Sequence, residues 1–72
     1  MPDRVSFNRR SVDEIETLVL VNGARFWDYF PSVESAQKWA LDVLICYSSV
    51  PSQECREMVD RAISNLPKEE ES

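Results

Sequence analysis

The fold is decided by residues 14–30, which read EIETLVLVNGARFWDYF. Asn22 and Gly23 stand between two apolar segments and form a strong signal for a two-residue type I′ turn, in which both central residues adopt positive φ. Strands that meet at this turn place Leu18 opposite Trp27. Aliphatic side chains then face aromatic ones across the strands along much of the segment, and such pairs stabilise antiparallel sheets. We therefore predict a β-hairpin.

The beginning of the same segment also fits a helix. Ser11-Val-Asp-Glu14 matches a capping box, which would begin a helix over about 12–22. The aromatic residues that follow the turn favour a strand instead. We predict strands over 14–21 and 24–30, and the helix remains the alternative for the first half of the hairpin.

A first amphipathic helix is predicted directly after the hairpin. Pro31 ends the second strand, and Ser32 has the side chain of a good N-cap for a helix from Val33 to about Tyr47. At 100° per residue its apolar side chains form one broad arc. The members of this arc are Val33, Ala36, Trp39, Ala40, Val43, Leu44, Cys46 and Tyr47.

A second helix is predicted after a short turn. Ser52 is placed to cap a helix from Gln53 to about Leu66, and Pro67 ends it. Its apolar positions follow the i, i+3, i+4 spacing of a one-sided helix: Cys55, Met58, Val59, Ala62, Ile63 and Leu66. Because the connection is short, the two helices should pack antiparallel on one sheet face.

The N-terminal ten residues are more weakly patterned. Val5 and Phe7 alternate with polar residues, as in a short edge strand or an arm lying on the core. The predicted fold is therefore α+β: an antiparallel β-hairpin or three-stranded sheet followed by two antiparallel helices (ββαα or βββαα). Whether the segment around Val5 and Phe7 covers the second face of the sheet is left open.

Composition limits the chemistry that this chain can perform. It has 72 residues, 13 acidic and 8 basic, with a net charge of −5, no histidine and one glycine. A chain of this size forms one domain and buries only about 60% of the surface that its unfolded form exposes. Without histidine there is no imidazole base, and one glycine cannot make a glycine-rich phosphate loop. We predict a non-enzymatic single domain over 1–67 with no catalytic residue, cofactor or metal site, and a solvated acidic tail over 68–72.

The sequence also indicates a compartment. It contains neither the apolar segment of a secretory signal nor the roughly 20 apolar residues of a membrane span. We therefore expect a cytoplasmic protein that does not contact a membrane, in which Cys46 and Cys55 are reduced. We interpret these cysteines as two small, buried, apolar side chains. A disulfide across the turn between the helices is the alternative.

Only one face of the predicted hairpin can lie under the two helices. The more apolar face is assigned to the core: Ile15, Val19, Val21, Ala24, Phe26 and Phe30. The opposite face is then a candidate partner-binding surface, because large apolar patches on small soluble domains usually mark interaction sites. Its predicted partner-binding residues are Leu18, Leu20, Arg25, Trp27 and Tyr29.

A second, smaller surface is predicted on the first helix. Leu41 and Ile45 lie one turn apart and outside the main apolar arc. They are interpreted either as peripheral core or, if exposed, as a helix-mediated dimer contact.

Residues 23–40 resemble the strand-to-helix step of small sheet-plus-helix domains, such as the arm-type DNA-binding domain of phage integrases. An alanine and a tryptophan recur on the helix of that domain, as Ala36 and Trp39 do here. Such domains bind DNA through a sheet with several basic residues. The hairpin here offers only Arg25, beside Glu16 and Asp28, so DNA binding does not follow from the resemblance, which covers a quarter of the chain.

The hypothesis that fits these features is a small acidic protein-binding module. It would be a regulator or inhibitor, of the type found in phages and mobile elements, that docks on a larger host protein through its hairpin face. One alternative is a homo-oligomeric structural unit that buries its apolar face against its own copy. Another is a DNA-binding accessory protein that uses an arm with Arg4, Arg9 and Arg10. The net negative charge makes a nucleic-acid partner less favourable, since nonspecific binding depends on basic side chains.

Overall fold

The computed structural model describes residues 3–66 and consists of three strands followed by two helices. In chain order the elements are β1 (Arg4–Ser11), β2 (Glu14–Val21), β3 (Ala24–Phe30), α1 (Val33–Tyr47) and α2 (Ser52–Ser64). The strands form one antiparallel sheet in the order β1-β2-β3, and both helices pack on the same face of it. The predicted α+β fold is confirmed in its βββαα form. Within residues 3–66 no helix is long and apolar enough to cross a membrane; the predicted tail over 68–72 lies outside the described residues.

The turn between β2 and β3 has the backbone that the sequence predicts. Asn22 has φ 51° and Gly23 has φ 81°, and Val21 pairs with Ala24 across the turn. Both central residues are therefore in the left-handed region that a type I′ turn requires. The helix considered for about 12–22 does not form.

Because Gly23 has a positive φ, we expect two substitutions at this position to lower the free energy of unfolding by different amounts. Gly23→Ala should lower the free energy of unfolding by about 1 kcal/mol, because a side chain at positive φ is strained. Apart from Gly23 and its two chain neighbours, no described residue has an atom within 4 Å of the Cβ that alanine would add, so the loss is conformational rather than steric. Gly23→Asn should lose less, since asparagine tolerates this region. Urea unfolding of both variants measures the difference, and equal losses would contradict it.

β1 extends the sheet instead of folding over it. Val5 pairs with Val19 and Phe7 pairs with Thr17, so β1 lies beside β2 as an outer strand. The side chains of Val5 and Phe7 pack against the core under the helices. The second sheet face is therefore left uncovered by the N-terminal segment, which settles the arrangement that the sequence left open.

The core lies between the sheet and the helices. α1 packs over β2 and β3, and α2 packs over β1. The buried apolar residues are Ile15, Val19, Val21, Ala36, Ala40, Val43, Leu44, Cys55, Val59 and Leu66. All except Leu66, which follows α2, come from the predicted apolar faces of β2, α1 and α2, so hydrophobic periodicity identified these buried positions correctly.

Two aromatic pairs fasten α1 to β3. The rings of Phe26 and Tyr47 stack with centroids 4.9 Å apart, and those of Phe30 and Trp39 are tilted with centroids 5.3 Å apart. Aromatic pairs at such distances add about 0.5–1.5 kcal/mol beyond the area they bury. Phe26 and Phe30 lie near opposite ends of β3. The two pairs therefore fix α1 against β3 at both ends of the strand.

A polar cluster joins the chain start to the turn and to the end of α1. The Asp3 carboxylate accepts hydrogen bonds from the Ser48 hydroxyl at 2.7 Å and from the Asn22 backbone N–H at 3.3 Å. The Asn22 side-chain amide donates to the Tyr47 carbonyl, and the Ser48 hydroxyl accepts from the Val50 N–H at 2.9 Å. The cluster satisfies three backbone groups at two chain reversals, the β2–β3 turn and the connection between α1 and α2.

The predicted N-cap is confirmed for α1 and is wrong for α2. The Ser32 hydroxyl accepts from the Ser35 N–H, which confirms the predicted cap of α1. At α2 the predicted Ser52 cap is wrong: Pro51 is the N-cap, and Ser52 is the first helical residue. The reason is that the Cys55 N–H already bonds to the Pro51 carbonyl at 3.0 Å, so the helix begins one residue earlier.

Three residues assigned to the apolar side are exposed. Ala24, at the end of the predicted core face of the hairpin, lies next to the turn in solvent. Cys46 and Tyr47, in the last turn of α1, are also exposed, because the described residues leave this turn largely uncovered, although the Tyr47 ring stacks on Phe26. The interpretation of Cys46 as a buried hydrophobe is therefore wrong, whereas Cys55 is fully buried.

Thiol labelling should distinguish the two cysteines. The Cys55 thiol donates to the Val50 carbonyl at 3.7 Å, and burial, with smaller contributions from the charges of Asp3 and Glu54, raises its pKa. Since the thiolate is the reactive form, native protein should react quickly with a thiol reagent at Cys46 alone. The second thiol should react after unfolding. Equal reaction of both thiols in native protein would contradict the burial of Cys55.

One buried polar group offers a stability test. Thr17 lies on the core face of β2 and is fully buried, and its hydroxyl has no hydrogen-bond partner among the described residues. A buried hydroxyl without a partner costs about 1–3 kcal/mol. Thr17→Val keeps the shape and removes this cost, so it should raise the free energy of unfolding by about 1 kcal/mol. Thr17→Ser, which keeps the hydroxyl and loses a methyl group, should lower it; a loss in both variants would show that the hydroxyl is satisfied.

Candidate interaction face

We use the name open face for the side of the sheet that points away from the helices. Strand side chains alternate between the two sides of a sheet, so the register assigns every second residue of β2 and β3, and of β1 up to Asn8, to it. Arg10 lies at the register shift of β1 and is placed on this face by its ion pair with Glu16. The members of the open face are Arg4, Ser6, Asn8, Arg10, Glu14, Glu16, Leu18, Leu20, Arg25, Trp27 and Tyr29. No helix and no other described segment covers this face.

The middle of the open face is apolar. Leu18 and Leu20 are half-buried by their neighbours in the sheet, while Trp27 is 58% and Tyr29 40% exposed. The Trp27 and Tyr29 rings lie along one strand with centroids 6.1 Å apart. Large apolar side chains are costly in water, and tryptophan, tyrosine and arginine dominate binding hot spots.

A shallow depression opens beside Trp27. It has a volume of about 220 Å³ and is lined by Glu16, Leu18, Arg25 and Trp27. Its walls therefore combine an aromatic ring, an aliphatic side chain and both signs of charge. This arrangement suits a protruding side chain of a partner better than a small molecule, which needs a deeper cavity.

Charge is distributed unevenly between the two sides of the molecule. The Arg10 guanidinium donates to the Glu16 carboxylate at 3.2 Å, and this hydrogen bond raises the pKa of Arg10. Three arginines and two glutamates thus make the open face slightly basic. The exposed acids of the two helices lie on the opposite side: Glu34, Asp42, Glu54, Glu57 and Asp60. The open face is therefore less acidic than the protein as a whole.

The structure brings the five predicted partner-binding residues together on the open face. The register pairs Leu18 with Trp27 and Leu20 with Arg25, and Tyr29 lies opposite Glu16. This placement agrees with the sequence, and the binding role of these residues stays a prediction. Sequence reasoning missed the contribution of β1, although the alternation of RVSFNRRS predicts that Arg4, Ser6, Asn8 and Arg10 share one side.

The two residues proposed for a dimer contact lie elsewhere. Leu41 is half-buried and packs against the core, whereas Ile45 is 46% exposed. Both belong to α1, which lies on the other side of the sheet from the open face. Leu41 therefore fits the peripheral-core interpretation, and Ile45 alone offers little area for a contact.

Among residues 3–66 no group of three or more Cys, Asp and Glu side chains is arranged to hold a metal ion. Comparison of the chain with protein-family models, with curated proteins and with solved structures gave no match. A function is therefore inferred from the chemistry of the open face.

Proposed function

We propose that this protein is a small non-enzymatic binding module that docks on a larger protein through its open face. The observation that supports the proposal most strongly is the exposure of Trp27 and Tyr29 beside Leu18 and Leu20. These four side chains are presented by a rigid sheet, so a partner does not have to order them on binding. A module of this kind acts as a regulator or inhibitor by occupying a surface of its partner.

A single-stranded nucleic acid is the second candidate partner. Arg4 and Arg10 join Arg25 on the open face beside Trp27 and Tyr29, and exposed aromatic rings on a basic sheet can stack bases. The net charge of −5 and the pairing of Arg10 with Glu16 weaken the attraction for phosphates. The leucines at the centre add apolar area that suits a protein, which is therefore the favoured partner.

The double substitution Trp27→Ala with Tyr29→Ala tests the role of the open face. Both rings are exposed, so the variant should stay folded and lose no more than about 1 kcal/mol in free energy of unfolding. Trp39→Ala is the matched control, because its ring packs on Phe30 and the core. Its loss should be larger, about 3 kcal/mol or more. Thermal unfolding by circular dichroism compares the two.

Site-specific crosslinking then tests binding. A photoreactive phenylalanine analogue in place of Trp27 should crosslink to a larger protein in cells that make this chain, whereas the same group in place of Glu57 on the outer side of α2 should not. Excess unlabelled protein should suppress the crosslink, and excess double variant should not. The proposal fails if both positions crosslink equally or if the double variant competes fully. A crosslink to a second copy supports the homo-oligomer, and a crosslink to nucleic acid supports the second candidate.

A further inference from the structure

The register shows which backbone groups of the sheet point outward. Val21 and Ala24 flank a two-residue turn, and such a flanking pair exchanges both of its hydrogen bonds. Hydrogen-bonded and non-bonded pairs alternate along an antiparallel ladder. The odd-numbered residues of β2 therefore bond to β3, and its even-numbered residues, Glu16, Leu18 and Leu20, bond to β1.

It follows that within residues 3–66 no strand pairs with the outer side of β1 at Val5 and Phe7, and this side is called its free edge. The partners of the even β2 residues are Leu20–Arg4, Leu18–Ser6 and Glu16–Asn8, so the backbone groups of Val5 and Phe7 point away from the sheet. The turn between β1 and β2 supports the same assignment of outward-pointing groups on β1. Glu14, which flanks the two-residue turn between β1 and β2, pairs with Ser11 across a register shift and belongs to the same even-numbered set.

The other edge of the sheet is partly blocked. On β3 the backbone groups of Arg25, Trp27 and Tyr29 point outward by the same argument. The Asp28 carboxylate accepts the Tyr29 N–H at 2.8 Å, so one outward donor is already used and a negative charge sits at the edge. Such a charge discourages the pairing of an added strand. β1 is therefore the edge better suited to accept one.

A groove runs beside the free edge of β1, between this strand and α2. It has a volume of about 300 Å³, and its lining residues are Asp3, Arg4, Val5, Met58, Arg61, Ala62 and Asn65. Val5, Met58 and Ala62 provide apolar contacts for one side chain of an added strand. The lining includes two arginines, Arg4 at the end of β1 and Arg61 on α2, against one acid, Asp3, so its net charge is positive.

The charges of β1 favour an added strand that is acidic. Arg4, Arg9 and Arg10 lie on β1, which has no acidic residue. In the antiparallel pairing with a second copy that is centred on Phe7, Arg4 would lie opposite Arg10 of that copy, and like charges directly opposite each other are destabilising. The pairing centred on Ser6 sets Arg4 opposite Asn8, which avoids the repulsion but brings no opposite charges together within β1. An acidic segment would instead face opposite charges on β1 and on Arg61.

We propose that the β1 edge and its groove bind an acidic, extended segment of another protein as a fourth strand of the sheet. The added segment would hydrogen-bond to the backbone of Val5 and Phe7, as in other cases of strand addition. This site is separate from the centre of the open face. It therefore does not depend on the function proposed for Trp27 and Tyr29.

The probe is a fluorescent six-residue peptide of alternating glutamate and valine with blocked ends. Fluorescence anisotropy should show saturable binding of this peptide and none of a lysine–valine peptide of the same length. Amide hydrogen exchange should slow at Val5 and Phe7 when the acidic peptide binds. Arg61→Glu should weaken binding about tenfold, while Arg56→Glu, the same charge change on the outer side of α2, should have little effect.

The results separate this proposal from the one for the open face. The Trp27→Ala/Tyr29→Ala variant should bind the acidic peptide normally. The proposal is overturned if the peptide does not bind, if both arginine variants weaken it equally, or if exchange at Val5 and Phe7 does not change. The proposal is also overturned if the Trp27→Ala/Tyr29→Ala variant loses binding of the acidic peptide and the Arg61→Glu variant keeps it. The peptide would then lie on the open face.

Discussion

The two-residue turn at Asn22 and Gly23 is the constraint on which the rest of the structure depends. Its left-handed backbone joins β2 to β3 without a bulge and sets Val21 opposite Ala24. A shift of one residue would move every side chain of β3 to the other side of the sheet relative to β2. The turn therefore determines both the core face and the open face.

Burial and turn geometry agree in this hairpin, which makes the register unambiguous. Ile15, Val19 and Val21 are buried under the helices, so they would be exposed by a slip of one residue. Trp27 and Tyr29 are left on the opposite side because their neighbours Phe26 and Phe30 pack against α1. The exposed aromatic surface is thus a direct consequence of how the core is filled.

Sequence reasoning predicted the elements whose signals are local. The Asn22-Gly23 turn, the Ser32 cap and the apolar stripe of α2 each lie within a few residues, and propensity and periodicity are sufficient to find them. The position of β1 depends on pairing with β2, and its weak alternation alone does not say whether it lies beside the sheet or over it. The exposure of Cys46 depends on which sides of the last turn of α1 are covered by other elements, which is a tertiary property.

The arrangement gives the two sides of a small domain different chemistry. Among residues 3–66 the helices carry most of the exposed acids, while β1 contributes arginines both to the open face and to its own edge. A protein with a net charge of −5 thereby presents a sheet that is apolar at its centre and basic along one margin. Both proposed docking modes use this sheet, one through side chains and the other through backbone groups.

Residue-resolved amide hydrogen exchange in the free protein tests the register most directly. We expect exchange rates to alternate along β1, with slow exchange at Ser6 and Asn8, which bond to β2, and fast exchange at Val5 and Phe7, which point outward. The opposite pattern, slow at Val5 and Phe7 and fast at Ser6 and Asn8, would contradict the register. The open face and the free edge would then have to be reassigned.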